Sequence, residues 1–165
     1  MEQPPSIDRI RALRSSLGDA AYRTPLIRCA GLEDLVANGT TVYGKLEFLQ
    51  HTGTFKVRGA LAVMESLDRE QLAAGVTAVS AGNHAIATAF AAGVVGTSAK
   101  IVMIGTANPA RIEACRALGA EIVMAKDAHA AFELAGDIER NEGRFLVHPF
   151  EGEAVAAGTG TVGLE

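Results

Sequence analysis

The chain has 165 residues, a formal net charge of −4, and a composition that is 48% hydrophobic and 21% charged. That size and apolar content allow a buried core and exclude intrinsic disorder, which needs low hydrophobicity with high net charge. The acidic balance excludes a nucleic-acid surface, which needs clustered Lys and Arg. A membrane span is excluded as well: the longest weakly polar run, from Ala85 to Ala99, is broken by Thr88, Gly93, Gly96 and Thr97, and falls short of the roughly 20 apolar residues required.

In chain order, Met1-Glu2-Gln3-Pro4-Pro5 lacks the basic and apolar regions of a signal peptide. Ser6 can cap a first helix in which Ile7, Ile10, Leu13 and Leu17 recur at helical spacing, with Gly18 ending it. Thr24-Pro25-Leu26 is extended, because the residue before proline avoids the helical region. Asn38-Gly39 signals a turn leading into a strand over Thr41–Glu47. From Phe55 the spacing of Ala60, Leu61, Met64 and Leu67 predicts a helix ending near Asp68.

The pattern then alternates. Strands are predicted at Val76–Ser80, Lys100–Ile104, Glu121–Ala125 and Arg144–Val147. Helices lie between them: an Ala-rich one over Ala85–Ala92, one opened by Asn108-Pro109 and stopped by Gly119, and one from Asp127 to about Asn141. Strand and helix alternating through short connections imply an α/β fold, an open parallel sheet with helices on both faces. Cys29 and Cys115 stand alone and read as free thiols of a reducing cytoplasm. His51, His129 and His148 show no metal-ligand spacing, so no metal site is expected.

Two stretches carry chemistry. The first is Thr52-Gly53-Thr54-Phe55-Lys56-Val57-Arg58-Gly59-Ala60. A lysine on a helix's first turn sits in a field that disfavours a cation, which lowers its pKa and favours the free amine as nucleophile. A solvated surface lysine explains the same residue equally well. Glu47 and Arg58 could pair beside it, and a surface ion pair is the ordinary reading of such residues. The second stretch is Ser80-Ala81-Gly82-Asn83-His84-Ala85, a turn between a strand's end and a helix's start. Open α/β sheets bind ligands there, and exposed N–H groups favour an anion such as a carboxylate. A plain connecting loop, with His84 packing or capping, remains open on the residues alone. Gly158-Thr159-Gly160-Thr161-Val162-Gly163 fits G-x-G-x-x-G but is rejected as a dinucleotide site. The acidic, Ala-rich stretch before it is no strand, and no acidic residue follows about 20 positions later.

Taken together, these stretches resemble the fold-type II pyridoxal-phosphate enzymes, most closely the threonine/serine dehydratase and serine racemase group. The resemblance rests on Thr24-Pro25-Leu26, Tyr43-Gly44-Lys45-Leu46-Glu47, Thr52–Ala60, Ser80–Ala85, Ala117-Leu118-Gly119-Ala120 and Gly158-Thr159-Gly160-Thr161. It implies that Lys56 binds pyridoxal 5'-phosphate covalently and also removes the substrate's α-proton. It implies that Phe55 packs beside the cofactor ring and Asn83 bonds its hydroxyl. Ser80, Gly82, Asn83 and His84 would receive the substrate carboxylate. The implied reaction is β-elimination from L-threonine or L-serine to a 2-keto acid and ammonia.

Racemase members carry a hydroxyl residue where this chain has Ala81, which favours elimination over racemisation. A racemase, or a lyase acting on another β-substituted amino acid, stays as an alternative. Thr54 replaces a more usual Ser, and Ile104-Gly105 stands where Pro is usual. The resemblance further implies a cytoplasmic homodimer at full length, roughly twice this chain. Residues 1–71 would begin the large cofactor domain, 72–147 would form the small domain, and 148–165 would return into the large one. A Gly-rich phosphate loop and a partner for the pyridine nitrogen are expected beyond Glu165. The chain is therefore expected to be a fragment, inactive alone and poorly stable; a truncated, non-catalytic module is the alternative from another class.

Overall fold

The computed structural model describes residues 4–36 and 38–165. Met1–Gln3, part of the stretch read above as lacking a signal peptide, lie outside them, as does Ala37. Ser6 Oγ accepts the Arg9 N–H at 3.1 Å and opens α1 (Ile7–Leu17), which buries Leu13 and Leu17. β1 (Leu26–Arg28) and β2 (Tyr43–Lys45) form an antiparallel pair apart from the main sheet, connected through α2 (Ala30–Val36). The strand predicted over Thr41–Glu47 is thus confined to β2. Its partner offers only three residues, and the chain then tightens into a 3-10 turn at Glu47–Leu49.

α3 (Lys56–Ser66) is buried at every residue from Val57 to Met64. It ends before Asp68, which instead caps a further short helix, α4 (Arg69–Ala74), in a reciprocal capping box with Gln71. The alternating part follows: β3 (Val76–Val79), α5 (Asn83–Val95), β4 (Ala99–Ile104), α6 (Pro109–Ala117), β5 (Glu121–Ala125), α7 (Ala128–Glu142) and β6 (Phe145–Leu146). The expected caps operate: Asn108 Oδ1 accepts from Ala110 N–H at 2.9 Å, and Asp127 Oδ1 from Ala130 N–H at 2.8 Å. β6 is shorter than predicted. Val147 N–H still donates to Thr77 O at 2.8 Å, but its carbonyl accepts from His84.

The four strands pair in the order β5-β4-β3-β6, all parallel. This is the expected open α/β sheet. Side-chain alternation divides its core. Ile101 and Met103 join the cluster that holds Ala85, Ala89 and Ala92 of α5 and Cys115 of α6. Val102 faces Ala131, Ala135 and Ile138 of α7 on the other side. No helix among the described residues is long and apolar enough to cross a membrane.

The glycine-rich segment Gly158–Gly163 is helical, and its last residues lie in a 3-10 turn at Thr161–Leu164. Its first residues form the end of α8 (Glu153–Gly160), missed by periodicity because Ala, Gly and Thr give almost no apolar stripe. A Cβ on Gly158 would press into the Arg58 carbonyl and lie 2.6 Å from Ala62 Cβ; one on Gly59 would lie 3.2 Å from Thr159 Oγ1. These two glycines let α8 cross α3 at backbone distance. Gly158→Ala should lower unfolding free energy by about 1–3 kcal/mol. Gly163→Ala, with no neighbour within 4 Å, should change it by less than about 0.5 kcal/mol. Chemical denaturation of both variants checks the contrast.

Candidate active site

From β3 the chain winds outward through β4 to β5, then α7 carries it back to place β6 on the other side of β3. The strand order reverses between β3 and β6. Loops leaving their C-terminal ends diverge there, and such a crevice is where open α/β sheets take ligands. Ser80–Gly82 leaves β3 and Val147–Phe150 leaves β6.

Lys56 enters this crevice from α3. Gly53, at φ +70, turns the chain after Gln50, donating its N–H to Gln50 O at 2.8 Å; a side chain there would be strained. Thr54 Oγ1 accepts the Lys56 N–H at 3.3 Å. Lys56 Nζ donates to Pro149 O at 2.7 Å and sits 4.2 Å from the centre of the Phe150 ring. Burial pushes this amine below the ordinary lysine range. The direction is the one read from the helix-terminus argument; desolvation is its cause.

A cavity of about 430 Å³ opens at the amine. Lys56, Ser80, Asn83 and His84 give its polar side; Phe55, Val79, Phe132, Pro149 and Phe150 give its apolar side. A second cavity, about 460 Å³, shares Phe55, Lys56, Pro149 and Phe150 and is closed by Val155, Ala156, Thr159 and Gly160 from α8. A further cavity lies beside Arg28, Glu33 and Asp34. Its Arg28 guanidinium already pairs with Glu33 at 2.8 Å, which leaves little for a ligand.

The structure brings the predicted residues together. Asn83 is the first residue of α5 and exposed to the cavity. The N–H groups of Asn83 and His84 have no acceptor among the described residues, while Gly82 N–H is taken by Ser80 Oγ at 3.1 Å. The ring of His84 turns inward. It is 7% exposed, and its Nε2 lies 2.9 Å from Val147 O. A carbonyl only accepts, so Nε2 carries the proton. Burial holds the imidazole below its ordinary pKa, against the raising effect of that bond, and Lys56 and His148 add to the lowering.

Arg58 corrects the sequence reading. It is no surface partner of Glu47 but the largest fully buried side chain. Its guanidinium donates to Glu47 at 2.9 Å through both Nε and Nη2, to Glu165 at 2.9 and 3.0 Å, to Thr161 Oγ1 at 3.2 Å and to Tyr22 O at 2.9 Å. Lys45 Nζ bonds the same Glu165 carboxylate at 2.7 Å. Sequence reasoning also missed Phe132, Pro149, Phe150 and Arg111, whose Nη1 reaches 3.5 Å from Ala81 O. A phenylalanine beside the small-residue stripe of α7, and a Pro-Phe shortly after the last strand, were the available signals.

Residues 17–165 match the family described as pyridoxal-phosphate dependent enzyme. The chain belongs to this family. It is 48% identical over 161 residues to phenylserine dehydratase of Ralstonia pickettii, covering 98% of this chain and 49% of that protein. Maize serine racemase superposes with a TM-score of 0.92 at 31% identity, over 98% of this chain and 49% of the other. The L-threonine ammonia-lyase of Thermotoga maritima is 38% identical over 161 residues, covering 97% of this chain and 40% of that protein. The chain therefore spans about half the length of these relatives or less, and its fold is that of the fold-type II members.

The Arg58 cluster generates a pH dependence. For Glu165, burial raises the carboxyl pKa, but the hydrogen bonds of Arg58 and Lys45 and the charges of Arg58 and Arg14 outweigh it and hold it at about 2, from an ordinary 4.5. Glu47 is partly buried, which raises its carboxyl, but Arg58 and Thr24 draw it below its ordinary value. A folded pKa below the unfolded one contributes stability that is complete above the unfolded value and lost as pH falls towards the folded one. Thermal unfolding midpoints should fall as pH drops from about 4.5 towards 2. Glu47→Gln should lower the midpoint at pH 7 and flatten this acid slope; an unchanged slope contradicts the assignment.

Proposed function

We propose that Lys56 binds pyridoxal phosphate covalently, and that the protein, at the length of its relatives, removes water from a β-hydroxy amino acid such as L-threonine or L-serine, releasing a 2-keto acid and ammonia. The observation carrying this reading is the desolvated Lys56 amine, set where the strand order reverses and facing the unpaired N–H groups of α5. The residues suit the cofactor chemically. An aldehyde takes an amine, and Lys56 offers one. A pyridine ring takes flat apolar flanks, which Phe55 and Pro149 provide. A ring hydroxyl takes a group that both donates and accepts, as the Asn83 amide does. When bound, this cofactor supplies an electron sink for the charge left on the substrate's α-carbon.

The chain's own residues do the rest. The N–H groups of Asn83 and His84, at the positive end of α5, hold the substrate carboxylate. Ser80 fixes the loop through its bond from Gly82 N–H. His84 contributes by its backbone, because its ring pins the end of β6 to the start of α5. Lys56 Nζ, which would be released as a free amine when the substrate's own amine takes its place, would accept the α-proton. Its lowered pKa keeps a larger share of the amine neutral at working pH, as a general base requires. Ala81 supplies no proton to the opposite face, so elimination is favoured over racemisation. The relatives named for threonine and phenylserine point to β-hydroxy substrates; a racemase, or a lyase on another β-substituted amino acid, is the second reading. All four parallel strands fall within residues 72–147, which supports that segment as the small domain. Cys115 is buried and its thiol pushed up to about 11, inert as befits a reducing cytoplasm, and a homodimer is the assembly proposed for the full-length enzyme.

Lys56→Ala should reduce keto-acid formation by about 10³-fold or more. Turnover persisting at the wild-type rate would remove the proposal. Ala81→Ser should introduce measurable racemisation of the substrate, followed by chiral chromatography; its complete absence counts against the one-faced site.

A further inference from the structure

We infer that the apolar end of the Lys56 cavity is a subsite for an aryl or comparably large apolar group on the substrate's β-carbon, and that Phe132 of α7 sets this preference. The inference rests on the proposed elimination for its reaction, and on the cavity itself for its chemistry. The cavity's polar groups are Lys56 and those of the Ser80–His84 loop at the start of α5. Those groups account for an amino acid's amine and carboxylate. The rest of its lining, among it Val79, Phe132 and Phe150, carries no charged side chain.

Phe132 is 49% exposed and Phe150 76% exposed, although both face a concave site. An aryl group would cover them and gain ring–ring contact as well as apolar burial. A space of about 430 Å³ is within the range of ligand pockets and admits a ring beyond the amino-acid head.

Phe132 is the informative residue of the pair. Phe150 also lies against the Lys56 amine, 4.2 Å from Nζ, so altering it disturbs the amine. Phe132 belongs to neither core cluster. α7 packs on the sheet through Ala131, Ala135 and Ile138, and Phe132 stands beside that stripe with its ring turned to the cavity.

Two readouts test this on the protein with and without cofactor. The first is the ratio of kcat/KM for phenylserine over threonine, which should exceed about tenfold, the scale set by a well-filled apolar pocket. Phe132→Ala should lower that ratio at least about tenfold, and Phe132→Leu, which keeps bulk without a ring, should fall between. The second is binding of 3-phenylpropanoate against propanoate to cofactor-free protein by calorimetry. The aryl acid should bind about tenfold tighter, with the difference shrinking in Phe132→Ala. Threonine used as well as phenylserine, together with equal binding of the two acids, overturns the subsite and leaves the elimination standing. Keto acid from neither substrate overturns the elimination, and the binding measurement still decides the subsite.

Discussion

The buried guanidinium of Arg58 is the constraint on which the site depends. A charge taken out of water is tolerable only when every N–H finds an acceptor, and here Glu47, Glu165, Thr161 and the Tyr22 carbonyl supply them. Those acceptors come from the turn after β2, the segment after α8 and the chain beyond α1. None can move without exposing an uncompensated charge, a loss of about 3–5 kcal/mol for a broken buried pair. Arg58 lies two residues after Lys56 on α3, so the cluster that satisfies it also anchors the helix turn from which the Lys56 side chain leaves.

The second constraint is steric. Gly59 and Gly158 let α3 and α8 meet at backbone distance, which holds α3 against the region where the β6 loop emerges. The sheet does the remainder. Its winding reverses between β3 and β6, so α5 begins beside the crevice and presents its unpaired N–H groups to it. An amine whose pKa burial lowers and a helix end with unpaired N–H groups thereby share one cavity. The reversal of strand order is what brings the two into the same crevice.

Much of this was legible in the sequence where the signal is local. Ser6, Asn108-Pro109 and Asp127 mark helix starts by the bonds their side chains make, and the runs at Val76, Lys100 and Glu121 mark strands by branched apolar content. The Ser80–His84 turn and Lys56 stood out locally, but the residues alone left an ordinary loop and a surface lysine open, and only the resemblance of the whole motif set chose between the readings. The rest depends on contacts between distant residues. Pro149 meets Lys56 across 93 positions and Glu165 meets Arg58 across 107, and no periodicity reports such pairs. α8 lacks an apolar stripe because its glycines serve a helix crossing. Arg58 read as a surface residue because burial of a charge is visible only once its partners are in place.

The most direct test of the central claim is chemical. The protein is treated with pyridoxal phosphate, reduced with borohydride, digested and mapped by mass spectrometry. The account predicts a reduced adduct on Lys56, with Lys45, Lys100 and Lys126 unmodified at equimolar cofactor, because only Lys56 combines a desolvated amine with an open cavity. Label spread over the other lysines, with Lys56 no more modified than they are, would contradict it.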